Sequence, residues 1–198
     1  MEFQSFGKIP RLTRDCTITE KIDGTNAAVV IVDPILDPTH VPGPERICYV
    51  NGLELYAQSR TRFVTPRDDN AGFAKWVLAH AAELTELGVG HHFGEWWGQG
   101  IQRGYAQDRK RFSLFNTHRW NSINTPDCCS IVPVLYEGPF STTVAEELIN
   151  ELRTTGSRAA LDYMNPEGIM IYHHHANQYF KKTLRGDIEG KSNMKEAA

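Results

Sequence analysis

The sequence predicts a mixed α and β chain on three observations. An apolar, largely β-branched run fills 27–32, Asn51-Gly52 marks a hairpin, and apolar residues recur at helical spacing over 70–87. The run at 27–32 has no polar alternation, so it reads as a strand buried on both faces, stopped by Asp33-Pro34. Asn and Gly both tolerate positive φ, so 46–50 and 54–59 pair across a two-residue turn. Over 70–87 the stripe is Phe73, Trp76, Val77, Leu84 and Leu87, with Asn70 as N-cap and Gly88 as stop. A second helix is predicted over 143–153, where Thr143 and Glu146 have capping-box spacing, Val144, Leu148 and Leu152 form the stripe, and Gly156 ends it. Short strands are expected at 92–97, 111–115, 131–136, 168–172 and 178–184, and a polar tail at 187–198.

With 198 residues and no Pro/Gly/Ser-rich linker, the sequence reads as one domain over 1–198. A net charge of -3 argues against bulk electrostatic coating of nucleic acid and leaves room for a local basic groove. Cys16, Cys48, Cys128 and Cys129 lack Cys-x-x-Cys spacing, which suggests neither a zinc ribbon nor a disulfide framework, and a reducing cytoplasm is the expected location. No leader pattern precedes Pro10, and no run of eighteen apolar residues occurs, so no membrane partner is expected.

The most informative stretch is Glu20-Lys21-Ile22-Asp23-Gly24-Thr25-Asn26, because a lysine held just ahead of a buried strand is a candidate covalent nucleophile. After it come Ser59-Arg60, then Phe93-Gly94-Glu95-Trp96, then Glu167-Gly168-Ile169-Met170, and finally Phe180-Lys181-Lys182. In this order they resemble the nucleotidyltransferase motifs of the polynucleotide ligase and mRNA-capping superfamily, and most closely those of the RNA ligase 2-like family. Aspartate at position 23 is the DNA ligase and capping residue; RNA ligase 2-like chains often carry histidine there.

The resemblance spans roughly 19–184 and implies an α+β adenylation domain, with two mainly antiparallel sheets flanked by helices and the nucleotide between them. Too little sequence follows Leu184 for the OB-fold of DNA ligases and capping enzymes. The implied activity is an ATP-dependent RNA ligase, which joins 5′-phosphate and 3′-hydroxyl ends through a lysyl-AMP and an adenylylated polynucleotide. Mg²⁺ is the expected metal, with Mn²⁺ able to substitute. RNA ends, favoured over DNA ends, are the expected partners, together with an accessory nucleic-acid-binding protein.

Within this resemblance Lys21 is the nucleophile. A free lysine amine with a pKa near ~10.4 is almost wholly protonated at pH 7, so such a site must disfavour the ammonium. Glu20, Ile22, Asp23, Gly24 and Asn26 are implied to line the nucleotide pocket, and Asp23 and Gly24 read equally well as a plain turn. Arg60 is implied to hold a ribose or a phosphate, with Arg62 as its alternative. Glu95 is implied to bind the ribose, since a carboxylate suits two vicinal hydroxyls. Phe112 is implied to stack on the purine, with Phe115 on the other strand face as the packing alternative. Glu167 is implied to hold the metal. Lys181 and Lys182 are both candidates for stabilising the α-phosphate, Lys181 first, because adjacent strand residues face opposite ways.

Other features read as scaffold or surface. Trp96 and Trp97 suit core packing better than base stacking, and Gln102, Arg103 and Tyr105 could shape a substrate loop. Arg109-Lys110-Arg111 could meet RNA phosphates or simply be solvated. His173, His174 and His175 alternate faces and do not suggest a metal site; Cys128-Cys129 with His118 do not suggest a cysteine nucleophile. Two other function classes remain open: a GTP-using capping-type enzyme or DNA ligase adenylation domain, and a non-catalytic nucleotide or RNA-binding module.

Overall fold

The structure, a computed structural model, describes residues 2–36, 39 and 41–185, so the tail expected over 187–198 lies outside the described residues. In chain order the strands are β1 (Asp15–Lys21), β2 (Thr25–Val32), β3 (Cys48–Val50), β4 (Leu53–Ser59), β5 (Phe63–Val64), β6 (Gly90–Gly98), β7 (Lys110–Leu114), β8 (Cys129–Ile131), β9 (Val134–Pro139), β10 (Gly168–His173) and β11 (Gln178–Thr183). The helices are α1 (Phe73–Ala79), α2 (Ala81–Leu84) and α3 (Thr142–Thr155). The fold is α+β, with two mainly antiparallel sheets. Its packing divides into two units: the chain up to Lys21 together with the chain from Pro133 onward, and Ile22–Val132.

The first unit is a four-stranded antiparallel sheet in the order β11-β10-β1-β9. One face is covered by α3, whose Ala145, Leu148, Ile149 and Leu152 pack on Cys16, Ile18, Ile169 and Ile171. The helix starts at Ser141, whose Oγ accepts from the Thr143 amide at 3.2 Å, two residues before the predicted cap. It ends at Gly156, whose φ of +81° is a conformation that glycine alone adopts freely. Strand β1 was not predicted. Its residues alternate Cys16, Ile18 and Glu20 on the helix face, so a charged group occupies the third apolar slot and breaks the period-2 signal.

The second unit is a seven-stranded sheet in the order β3-β4-β2-β6-β7-β8, with β5 paired to β4 and the β7–β8 pair parallel. Strand β2 is buried on both faces over 27–31, as its composition predicts. Ala27, Val29, Ile31, Leu55, Ala57, Trp96, Phe112 and Leu114 form a core with Phe73, Ala74, Val77, Leu84 and Leu87 from the helical segment. That segment is not one helix over 70–87. It breaks at His80 (φ -108°, ψ 20°) into α1 and α2, and finishes as a 3₁₀ turn over Thr85–Leu87. Asn70 is not the cap: Gly72 stands at that position, and the Asp69 carboxylate accepts from the Ala74 and Lys75 amides at 2.8 and 3.1 Å. The strand expected over 131–136 is divided into β8 and β9 by Val132-Pro133, where proline has no amide to offer a ladder. Among the described residues, no helix is long and apolar enough to cross a membrane.

Candidate active site

Lys21 is the last residue of β1, directly opposite Gly168, the first residue of β10. Its amine donates to Glu167 Oε2 at 2.6 Å, with side-chain exposures of 20% for the lysine and 6% for the glutamate. A flexible four-carbon side chain is thereby aimed by a buried carboxylate while part of it stays exposed. Gly168, next to Glu167, has φ +155°, and a Cβ there would lie 2.1 Å from the Lys182 carbonyl oxygen, so glycine lets β11 pass close to the start of β10.

The residues after Lys21 turn into β2 under tight restraint. Ile22 is buried, the Asp23 amide donates to the Tyr105 hydroxyl at 3.0 Å, and Arg103 Nε donates to Asp23 Oδ2 at 2.9 Å. Gly24 donates its amide to Glu95 Oε1 at 3.0 Å, and a Cβ on Gly24 would meet the Trp96 carbonyl oxygen at 2.5 Å. Glycine at 24 is therefore required by close backbone approach. Tyr105, which holds this turn, sits at φ +50° and meets Trp97 edge-on at 5.4 Å. Such left-handed backbone in a non-glycine residue costs about 1–3 kcal/mol and concentrates at functional sites. On β2 and β6, Asn26 lies directly opposite Glu95, and Glu95 opposite Ser113, so all three share one sheet face.

A model of the RNA ligase family matches residues 14–184. The chain belongs to the RNA ligase family. Among solved structures it is similar to a lysine-to-alanine variant of Naegleria gruberi RNA ligase with ATP and Mn, at 15% identity and TM-score 0.54, covering 87% of this chain and 50% of that one. An arginine-to-alanine variant of the same ligase with ATP and Mn gives 15% identity and TM-score 0.55, with the same coverage. A lysine-to-methionine variant with AMP and Mn gives 16% identity and TM-score 0.54, covering 88% and 51%. This likeness speaks to the fold, and the chain spans about half the length of those relatives. Among curated proteins, none matches.

Several residues that the RNA ligase motifs nominate are placed differently by the fold. Phe112 is fully buried, its ring packed 5.2 Å from Phe73 and 5.5 Å from Trp76, so it is a core residue and not a face for a purine. Phe115, half-buried, follows the strand two positions beyond Ser113, and its amide donates to the Phe93 carbonyl. Glu20 is also corrected. Its carboxylate accepts from Ser157 Oγ at 2.6 Å and from the Arg158 and Ala159 amides at 2.7 and 2.9 Å, which ties β1 to the loop after α3. Burial pushes the Glu20 carboxyl above its usual range, and these hydrogen bonds pull against it. Ile22, buried, contributes packing.

Register separates the two lysines. Lys181 lies opposite Met170, which lies opposite Thr19, so it shares the sheet face of Lys21 and is exposed. Lys182 lies on the face of Ile169 and Glu20, where its amine is 2.9 Å from Glu146 of α3; its candidacy as the phosphate contact is corrected accordingly. Arg60 stands exposed just after β4, whereas Arg62 is engaged by Asp68 through two nitrogen–oxygen contacts of 2.7 and 3.0 Å. Trp96 and Trp97 are buried as expected. Arg103 and Tyr105 were expected to shape a substrate loop, and instead hold the Asp23-Gly24 turn. The only sequence signal for this was the density of Gly and aromatic residues over 92–105. Glu167 offers hard carboxylate oxygens next to a lone amine, a donor chemistry that fits Mg²⁺ or Mn²⁺ and not a thiophilic ion.

Proposed function

We propose that this chain is the nucleotidyltransferase part of an ATP-dependent RNA ligase, with Lys21 as the nucleophile. The observation that carries this reading is the amine of Lys21 aimed by Glu167 at 2.6 Å from the end of β1. Lys21 Nζ attacks the α-phosphorus of ATP: a nitrogen–phosphorus bond forms, the α-phosphorus–oxygen bond to the β-phosphate breaks, and pyrophosphate leaves. Attack needs the nitrogen lone pair, and the Glu167 oxygen is within reach to accept the amine's proton. Glu167 would hold a divalent ion, which would supply positive charge against the triphosphate. Lys181, on the face of Lys21, stabilises charge developing on the α-phosphate. Asn26 and Glu95 address the nucleoside, Arg60 a phosphate or ribose, and Asp23 and Gly24 set the turn after the nucleophile. The AMP then passes to an RNA 5′-phosphate, and a 3′-hydroxyl displaces it to seal the ends.

The names of the structural neighbours, with ATP or AMP and Mn, support ATP and a divalent metal as the ligands. The pairing of a lysine nucleophile with a buried acid favours an enzyme over a non-catalytic binder, which needs no nucleophile. The test is intact mass after incubation with ATP and magnesium, followed by addition of labelled 5′-phosphorylated RNA. Wild type should gain one AMP and pass it to RNA, and Lys21→Ala should gain none. An adduct that survives in Lys21→Ala, or an adduct formed with GTP in preference to ATP, rejects this reading.

A further inference from the structure

The break between α1 and α2 brings together a set of donors that the ligase chemistry does not use. His80 sits at the break, and its Nδ1 lies 3.2 Å from Glu83 Oε1. Across the unit, Cys128 ends the loop that enters β8 and Cys129 opens the strand, their sulfurs 3.8 Å apart with no disulfide between them. One donor atom from each of His80, Glu83 and Cys128 falls within 4.8 Å of the others. From the side chains and geometry of this cluster we infer that His80, Glu83 and Cys128, with Cys129 as the fourth donor, form a binding site for a thiophilic divalent cation of the zinc class.

Two of the donor separations match the edges of a tetrahedral site. Zinc bonds of about 2.3 Å to sulfur and about 2.0–2.2 Å to nitrogen or oxygen give tetrahedron edges of roughly 3.8 Å between sulfurs and roughly 3.3–3.5 Å between nitrogen and oxygen. The Cys128–Cys129 sulfurs at 3.8 Å and the His80–Glu83 pair at 3.2 Å sit close to those edges. The donor set is mixed nitrogen, oxygen and sulfur, which selects a borderline-soft ion over Mg²⁺ or Ca²⁺. It therefore differs in chemistry from the all-oxygen donor at Glu167. All four residues line a groove of about 600 Å³ open to solvent, so an ion has a path in. Its structural consequence would be a clamp that fastens the helix break at His80 to the start of β8.

Zinc binding by the full chain, measured with a competing chromophoric chelator, tests this directly, with cobalt substitution as a second readout. Wild type should hold one equivalent of zinc, and the cobalt form should show a thiolate charge-transfer band. Cys128→Ser should abolish that band, and Glu83→Gln should weaken zinc at least about tenfold, comparable to the loss of a supporting group in known sites. Glu83 is exposed, so Glu83→Gln keeps the test decisive even if Cys128→Ser folds poorly. His175→Ala, at an exposed histidine outside the cluster, should bind as wild type. Failure of wild type to retain zinc, or zinc retained equally by Cys128→Ser and Glu83→Gln, overturns the inference. Neither outcome bears on AMP transfer to Lys21, which is read separately by mass.

Discussion

The four-stranded sheet and the seven-stranded sheet solve different problems. In the smaller one, the buried apolar core lies on the face under α3, and the other face displays Thr19, Lys21, Met170 and Lys181 in register. In the larger one, a core of aliphatic and aromatic side chains surrounds Trp96 and Phe112, and the polar row Asn26–Glu95–Ser113 lies on the opposite face. The first sheet carries Lys21 and Lys181 on one face, and the second encloses its rings in a core. Strand parity therefore has a different meaning in each: in one it separates Lys181, on the face of Lys21, from Lys182, paired with Glu146, and in the other a core ring from a polar row.

Four substitutions can break or sharpen that contrast. The largest effect is expected from Phe112→Ala, which empties a fully buried ring site and should lower stability by about 3–5 kcal/mol in denaturant melts. If stability holds while nucleotide affinity falls, the ring faces the ligand and the contrast fails. Next, Lys181→Ala should slow lysyl-AMP formation about 10²–10³-fold, the usual cost of removing one charge-stabilising donor, with little change in melting. His92 gives a smaller, pH-dependent effect. Burial lowers its pKa, partly offset by the bond to the Gly88 carbonyl at 2.8 Å. The unfolded chain then binds the proton more tightly than the folded one, so stability present above the unfolded pKa of about 6.5 is lost as pH falls toward the lowered folded value. His92→Gln should flatten that slope between neutral and mildly acidic pH. The smallest effect belongs to Lys182→Ala, which removes a partly exposed pair with Glu146 and should change stability by about 0–1 kcal/mol and adduct formation by less than about threefold. A collapse of adduct formation in Lys182→Ala with none in Lys181→Ala would invert the assignment.

Much of this was legible from local chemistry. The unbroken apolar composition of 27–32 announced a strand buried on both sides, and Gly156 announced the end of α3. The lysine motif was readable because its glycine and acid are needed within a few residues of one another. What escaped depends on distant partners. Phe112 and Phe115 sit on a strand with opposite orientations, and only the position of α1 decides which face is core. Lys181 and Lys182 are equivalent until the β10–β11 register is known. The ion pair that steadies Asp23 comes from Arg103, eighty residues later, and nothing near either residue signals the other. His80 and Cys128 are likewise unrelated in sequence and meet only because a helix breaks beside β8.

The buried carboxylate of Glu20 has one more consequence. Because its two oxygens are seized from the α3 side, β1 is locked in phase at the position just before the nucleophile. Inserting or deleting one residue between Cys16 and Glu20 would set the core slots of Cys16 and Ile18 against the Glu20 anchor, whereas a two-residue change preserves the alternation. The length of this strand is thus a parity condition on which side of the sheet Lys21 occupies, set by an acid held to the loop after α3.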